Sequence, residues 1–299
     1  MTAPGELIDI GGRRLHCRRL GDRGPLVVLE SGGGGGSSIQ DWPVQKRVAK
    51  FARCLAYDRA GLGWSDPSAR PLTFERMARD LAALLAALGE RGPFVFAGGS
   101  FGGLVLQAYA RLFSETVAGM VLIDCADEVK YFGTMRQMRS FHEGELRAEI
   151  SRAARGEISR EAEPQIRSWR ALDGAEQAAA LALLDRPSHF EASLSELAVL
   201  DAPMPPAPPP RPLLGDAPLI VLSHGRPYAG AMAVWEDGWS AAQTRLAALS
   251  SRSAQIVATH CSHSIALERP DLVTAAITAV TAAASGRLFD VEEVRRLAA

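Results

Sequence analysis

The stretch Gly98-Gly99-Ser100-Phe101-Gly102-Gly103 constrains the chain most. It follows Phe94-Val95-Phe96-Ala97, an apolar run opened by Pro93, and leads into residues 104–110, whose Leu, Gln and Ala content suits a helix. The order is therefore strand, sharp turn, helix. A serine at such a turn takes strained backbone angles, and only neighbours without side chains let the strand and helix approach, so the steric demand falls on Gly98 and Gly102. Ser100 is presented rather than buried. An ordinary glycine-rich turn is the competing reading of the five-residue pattern, and the strand and helix on either side favour a presented nucleophile.

A second continuous apolar run, Leu26-Val27-Val28-Leu29, suits a central strand covered on both faces and ends in Glu30-Ser31 and a run of glycines over residues 32–36. Glycine loops in this place also cradle phosphates. A P-loop needs Lys followed by Ser or Thr, and Ser37-Ser38 follow here without a Lys, so that motif is excluded. A dinucleotide fingerprint begins at Gly32 and Gly34, but its third small position falls on Ser37, which ranks it well behind.

Composition narrows the partners. The 299 residues are 47% hydrophobic and 22% charged, with a formal net charge of −1, so no strong field gathers nucleic acid or an anionic membrane. Small, neutral partners are expected. Cys17, Cys54, Cys125 and Cys261 are widely spaced with no C-x-x-C, which reads as reduced thiols and favours the cytoplasm. No basic-then-apolar export pattern stands at residues 1–12, and no apolar run is long enough to span a membrane.

The remaining strands are read at residues 54–57, 118–123, 219–222 and 254–258, with a hairpin formed by residues 7–10 and 14–17 around Gly11-Gly12. Helices are expected over 74–88, 232–249, 271–284 and 289–298, with Trp235 and Trp239 packing one face of the second against the sheet. Residues 126–200 hold helix formers and mixed charges without a convincing strand, and a proline-rich return follows over 201–218. Tyr131, Met135, Met138, Phe141 and Trp169 could line a pocket there or pack between helices.

The Gly-x-Ser-x-Gly turn in this context resembles the nucleophile elbow of the α/β-hydrolase family. The segment Asp58-Arg59-Ala60-Gly61-Leu62-Gly63-Trp64-Ser65 resembles the D-x-x-G-x-G-x-S stretch of cap-bearing members, with Asp58 and Arg59 in structural roles. The resemblance implies an α/β fold with a mostly parallel eight-stranded sheet and helices on both faces. Residues 1–125 and 212–299 would form the core, and 126–211 a helical cap with its return linker.

It also implies a triad. Ser100 would be the nucleophile, and His263, which precedes Ile265-Ala266-Leu267-Glu268-Arg269-Pro270 much as the family's histidine precedes an apolar-x-x-L-E-x-P run, the base; nearby His260 is the weaker candidate. The remaining histidines read as surface or cap residues (His16, His142, His189) or as packing near the site (His224). The acid departs from the commonest pattern, because Ser223-His224-Gly225-Arg226-Pro227 after the seventh strand holds no carboxylate. Asp124, ending the sixth strand, is favoured over Asp127, Glu128, Glu236 and Asp237. Backbone N–H groups of Gly33 and Phe101 would form the oxyanion hole.

The expected chemistry is hydrolysis of a carboxylic ester or lactone of apolar character, with no cofactor and no metal; His260-x-x-His263 lacks the carboxylates a metal site would add. A proline-iminopeptidase-like amidase using Glu143 or Glu145 to hold an amine, a carbon–carbon bond hydrolase and a non-catalytic ligand receptor stand as alternatives.

Overall fold

Continuous apolar runs make the central strands, because residues covered by helices on both faces have no solvent side to alternate toward. The computed structural model describes residues 4–34, 37–158, 172–207 and 212–299. Its strands are β1 (Glu6–Asp9), β2 (Arg14–Leu20), β3 (Leu26–Glu30), β4 (Arg53–Tyr57), β5 (Phe94–Gly99), β6 (Val117–Ile123), β7 (Leu219–His224) and β8 (Ser253–Ala258). They form one eight-stranded sheet in the order β1-β2-β4-β3-β5-β6-β7-β8. The β1–β2 hairpin and the β2–β4 pair are antiparallel, and every other pair is parallel. The three central neighbours β3, β5 and β6 all end on the same edge, and that edge carries Glu30, Ser100 and Asp124.

The helices are α1 (Trp42–Val48), α2 (Phe74–Ala87), α3 (Phe101–Phe113), α4 (Glu128–Ala154), α5 (Gly174–Leu184), α6 (Pro187–Glu196), α7 (Trp239–Ala247), α8 (Ile265–Glu268), α9 (Pro270–Ala284) and α10 (Glu292–Ala298). One face of the sheet packs α2, α3 and α7 through Phe74, Leu81, Leu104 and Leu246. The other packs α1, α9 and α10 through Val44, Leu272, Ile277 and Val294. The spacing of Phe74, Met77, Leu81, Leu84 and Leu85 buries one stripe of α2. Thr73 caps its start by accepting the Arg76 N–H at 3.1 Å, and Gly89, at φ 75°, ends it.

Between β6 and β7 the chain leaves the sheet for α4, α5, α6 and a 3-10 turn at Leu197–Asp201. Among the described residues this insertion contains no strand. Asp173 and Glu176 form a capping box at the start of α5, and Lys46 from the core bonds both carboxylates, at 2.9 and 2.6 Å. Trp169 lies outside the described residues, as does part of the proline-rich return.

Two sequence expectations change. Residues 232–249 are not one helix: Gly230–Trp235 is a 3-10 turn, Gly238 sits at φ 69°, and α7 begins only at Trp239. The left-handed glycine interrupts the helical path between the two tryptophans. His16 is not a surface residue; it is fully buried on β2, where its Nδ1 bonds Asp58 Oδ2 at 2.8 Å and its Nε2 the Pro4 carbonyl at 2.9 Å. Asp58 also accepts the backbone N–H groups of Ser38, at 2.8 Å, and Trp64, at 3.1 Å. It thus ties together two loops at the carboxyl edge of the sheet.

Burial alone would lower the His16 imidazole, but the Asp58 hydrogen bond and charge outweigh it and raise it above the ordinary value. A raised histidine stabilises the fold fully below its unfolded value, and that contribution is lost as pH rises through the folded one. His16→Gln is expected to cost about 3 kcal/mol by breaking a buried pair. Urea unfolding should show a smaller gap between wild type and variant at pH 9 than at pH 6.

Candidate active site

The turn between β5 and α3 is dictated by what a side chain would strike. A Cβ on Gly98 would lie 2.6 Å from Leu106 Cδ1, and one on Gly102 would lie 2.6 Å from the Ser31 carbonyl oxygen and nearer still to that of Glu30. One on Gly103 would lie 2.5 Å from Cys125 Sγ. Backbone therefore packs on backbone, and the intervening Ser100 is driven to φ 49°, ψ −121°. Its N–H donates to the Ile123 carbonyl at 2.9 Å, which fixes the turn to the end of β6.

The residue that follows β6 is Asp124, also at positive φ, 48°. Its N–H donates to the Leu222 carbonyl at 2.7 Å and its side chain is wholly buried. His263 lies on the loop between β8 and α8. Its Nε2 is 3.0 Å from Ser100 Oγ, and its Nδ1 is 2.6 Å from Asp124 Oδ2. Serine, imidazole and carboxylate thus form one hydrogen-bonded line. With Nδ1–H donated to the carboxylate, Nε2 is left as the acceptor for the serine proton.

The other carboxylates face elsewhere. Asp127 caps α4 and pairs with Arg245 at 2.6 Å, while Glu128 pairs with Arg111 at 2.6 Å. Glu236 accepts the Tyr228 N–H at 2.6 Å and lies 3.1 Å from His224 Nε2. Among the described residues, none of these and not Asp237 bonds His263. His260 is exposed.

Tyr228 at the site escapes sequence reading, and His224, expected only to pack nearby, makes direct bonds there. Tyr228 places its hydroxyl 2.6 Å from His263 Nδ1. His224 reaches Asp124 with its ring Nδ1 at 2.8 Å and its backbone N–H at 2.8 Å. The only sequence signal for His224 is its place at the end of β7, where the resemblance leads one to look for an acid. Burial would push the Asp124 carboxyl up, but hydrogen bonds from His224 and His263 outweigh it and hold it below the usual range.

Ser100, Asp124 and His263 line a cavity of about 350 Å³. Its apolar wall includes Phe101, Leu104, Tyr131, Met135, Trp235 and Trp239. The tryptophans thus face the cavity as well as packing. Met138 is buried, and Phe141 is exposed. Glu145, Glu149 and Glu196 supply acidic groups on the side of the insertion, whereas Glu143 turns to Arg139 at 2.8 Å. A smaller cavity of about 190 Å³, lined by Gln40, Asp41 and Leu267, meets the same Ser100 and His263. Gly33 borders both and packs on Phe101 closely enough that a Cβ there would lie 3.0 Å from Phe101 Cβ.

A family model described as "Alpha/beta hydrolase family" matches residues 27–276. The chain belongs to the alpha/beta hydrolase family. This hydrolase is 26% identical over 279 residues to the uncharacterized protein YqjL of Bacillus subtilis (strain 168), covering 92% of this chain and 91% of that one. It is 34% identical over 134 residues to the probable transporter efuK of Hormonema carpetanum, covering 42% of this chain and only 19% of that protein. The solved structure of a serine hydrolase involved in carbazole degradation, the CarC enzyme, superposes with a TM-score of 0.66 at 18% identity, over 93% of this chain and 98% of that one. That likeness carries the fold.

In this alpha/beta hydrolase one arginine holds Ser31 and Gly32, at the start of the glycine run beside Ser100. Arg59 donates from Nη1 to Glu30 at 2.7 Å and the Ser31 carbonyl at 2.6 Å, from Nη2 to the Gly32 carbonyl at 2.8 Å, and from Nε to Glu196 at 2.7 Å. Burial pushes both the Glu30 and Glu196 carboxyls up; the Arg59 charge opposes it at both, joined at Glu30 by the Tyr57 hydroxyl. Arg59→Met should lower stability by about 3–5 kcal/mol, the usual cost of stranding buried charge. Because the stranded carboxylates escape that cost by taking protons, the deficit in urea unfolding should shrink as pH falls from 8 toward 5.

Proposed function

We propose that this hydrolase cleaves carboxylic esters or lactones by acyl transfer through Ser100, with His263 as general base and acid and Asp124 as the supporting carboxylate. The observation that carries this reading is the unbroken line Ser100 Oγ, His263 Nε2, His263 Nδ1, Asp124 Oδ2, with contacts of 3.0 and 2.6 Å. A free serine hydroxyl is a weak nucleophile and gains reactivity from a base within hydrogen-bond reach. His263 would take the Ser100 proton as Oγ attacks the carbonyl carbon, then deliver it to the leaving alcohol. Water, activated by the same imidazole, would release the acyl group.

Negative charge developing on the carbonyl oxygen would be met by the backbone N–H groups of Phe101 and Gly33, each worth on the order of 3 kcal/mol in such a hole. The hold of Arg59 on the Ser31 and Gly32 carbonyls, next to Gly33, supports that assignment, since a preorganised donor needs no rearrangement during reaction. The aromatic wall and modest volume of the larger cavity fit an apolar substrate of moderate size. Residues 126–211 would act as the cap that selects it. A serine at the elbow separates this chain from relatives whose elbow nucleophile is an aspartate.

A second reading is supported by Glu145 on the insertion side of the cavity, which suits a cationic amine and hence an aminoacyl amide. Aminoacyl arylamides compared with p-nitrophenyl esters discriminate the two.

Ester turnover is expected to vanish in Ser100→Ala, and a serine-directed organophosphonate should leave one adduct on Ser100 by intact mass and peptide mapping. Asp124→Asn should lower kcat by about 10⁴ through loss of the correct imidazole tautomer. Retained turnover in Ser100→Ala, or no adduct on folded protein, overturns the proposal.

A further inference from the structure

Asp124 is shared between two imidazoles. Its Oδ2 faces His263 Nδ1 at 2.6 Å, while His224 brings a backbone N–H and a ring Nδ1 to Oδ1, both at 2.8 Å. The His224 ring is buried, lies 5.1 Å from the Trp239 ring and 4.9 Å from that of Tyr228, and points its other nitrogen at Glu236 Oε1, 3.1 Å away. Proton counting decides what this ring is. A nitrogen facing a carboxylate oxygen must carry a proton to bond it, and here both ring nitrogens face carboxylates. Glu236, one-third exposed, is itself an acceptor, taking the Tyr228 N–H at 2.6 Å.

We propose that His224 is an imidazolium clamped between Asp124 and Glu236, and that this clamp is a positioning device which fixes the Asp124 carboxylate toward His263. The inference rests on the serine-hydrolase reading above. The acid stands just after β6, and two N–H donors from the end of β7 stop its carboxylate from rotating away from the base. Glu236 holds the far side of the ring and balances its charge, so that Asp124 keeps an anionic oxygen for the imidazolium that His263 becomes during reaction. The other groups facing the clamp are Tyr228, whose hydroxyl touches His263 Nδ1, and Lys130 and Asp237 near Glu236; Lys130 Nζ is held by the Val234 carbonyl at 3.0 Å. Asp124 raises His224 against the opposing pull of burial, in keeping with a ring that stays charged.

The test uses Glu236→Gln, a partly exposed and nearly isosteric change, beside His224→Asn. With an ester substrate, both are expected to lower kcat on the order of 10- to 100-fold, the usual effect of removing an outer partner of a reactive group. KM should stay within about threefold and the acid limb of the kcat/KM profile should move. Ring ¹⁵N NMR in a Ser100→Ala background, which needs no turnover, should show His224 doubly protonated at pH 7 and losing its proton at lower pH once Glu236→Gln is added. A neutral His224 at pH 7 with Glu236 intact overturns the clamp. Unchanged kcat and pH profile in folded Glu236→Gln overturns its positioning role. Absence of any Ser100-dependent turnover strikes instead at the serine-hydrolase reading, and the NMR result still decides the charge of His224.

Discussion

The geometry around Ser100 depends on a place where one backbone lies directly on another. The carbonyl oxygens at the end of β3 occupy the space that a Gly102 side chain would fill. That approach lets α3 start immediately after the strand, sets the first turn of the helix beside the glycine loop, and leaves Ser100 no relaxed backbone region. Close packing turns a requirement for two small residues into a fixed direction for one hydroxyl. Gly33 and Phe101 come together through the same approach.

A second constraint mirrors the first on the neighbouring strand. Ser100 and Asp124 are the two described non-glycine residues at positive φ, and they are joined through the hydrogen bond from Ser100 N–H to Ile123. Strain of this kind persists when the surroundings over-determine it. Here the parallel pairing of β5, β6 and β7 supplies that surrounding, since Asp124 N–H is held by Leu222 and its carboxylate by His224. The sheet register decides which side chains meet, and the hydrogen bonds decide how they are turned.

Much of this is legible in the sequence because local rules carry it. Apolar runs locate the central strands, and the glycines around Ser100 announce a steric need that no other residue meets. The mostly parallel eight-stranded sheet and the alpha/beta hydrolase family follow. What escapes reading depends on long-range pairing. His16 looks like any polar residue on an edge strand until Asp58, 42 residues on, is found against it in the interior. Tyr228 carries no local mark, since its role arises from a loop that brings its hydroxyl to His263, 35 residues later. The break between Trp235 and Trp239 turns on Gly238 at φ 69°, a left-handed angle that glycine adopts freely and that the helix-like spacing on either side conceals.

Arg59 links parts of the molecule that differ in kind. One end of its guanidinium grips β3 and the glycine loop, and the other grips Glu196 at the end of α6 in the insertion. An insertion moored by a buried ion pair cannot swing off the sheet as a rigid lid without stranding charge, at a cost of several kcal/mol. Movement of the insertion is then cheapest away from that anchor. Alterations elsewhere in the insertion leave that ion pair, and with it the hold on Ser31 and Gly32, untouched.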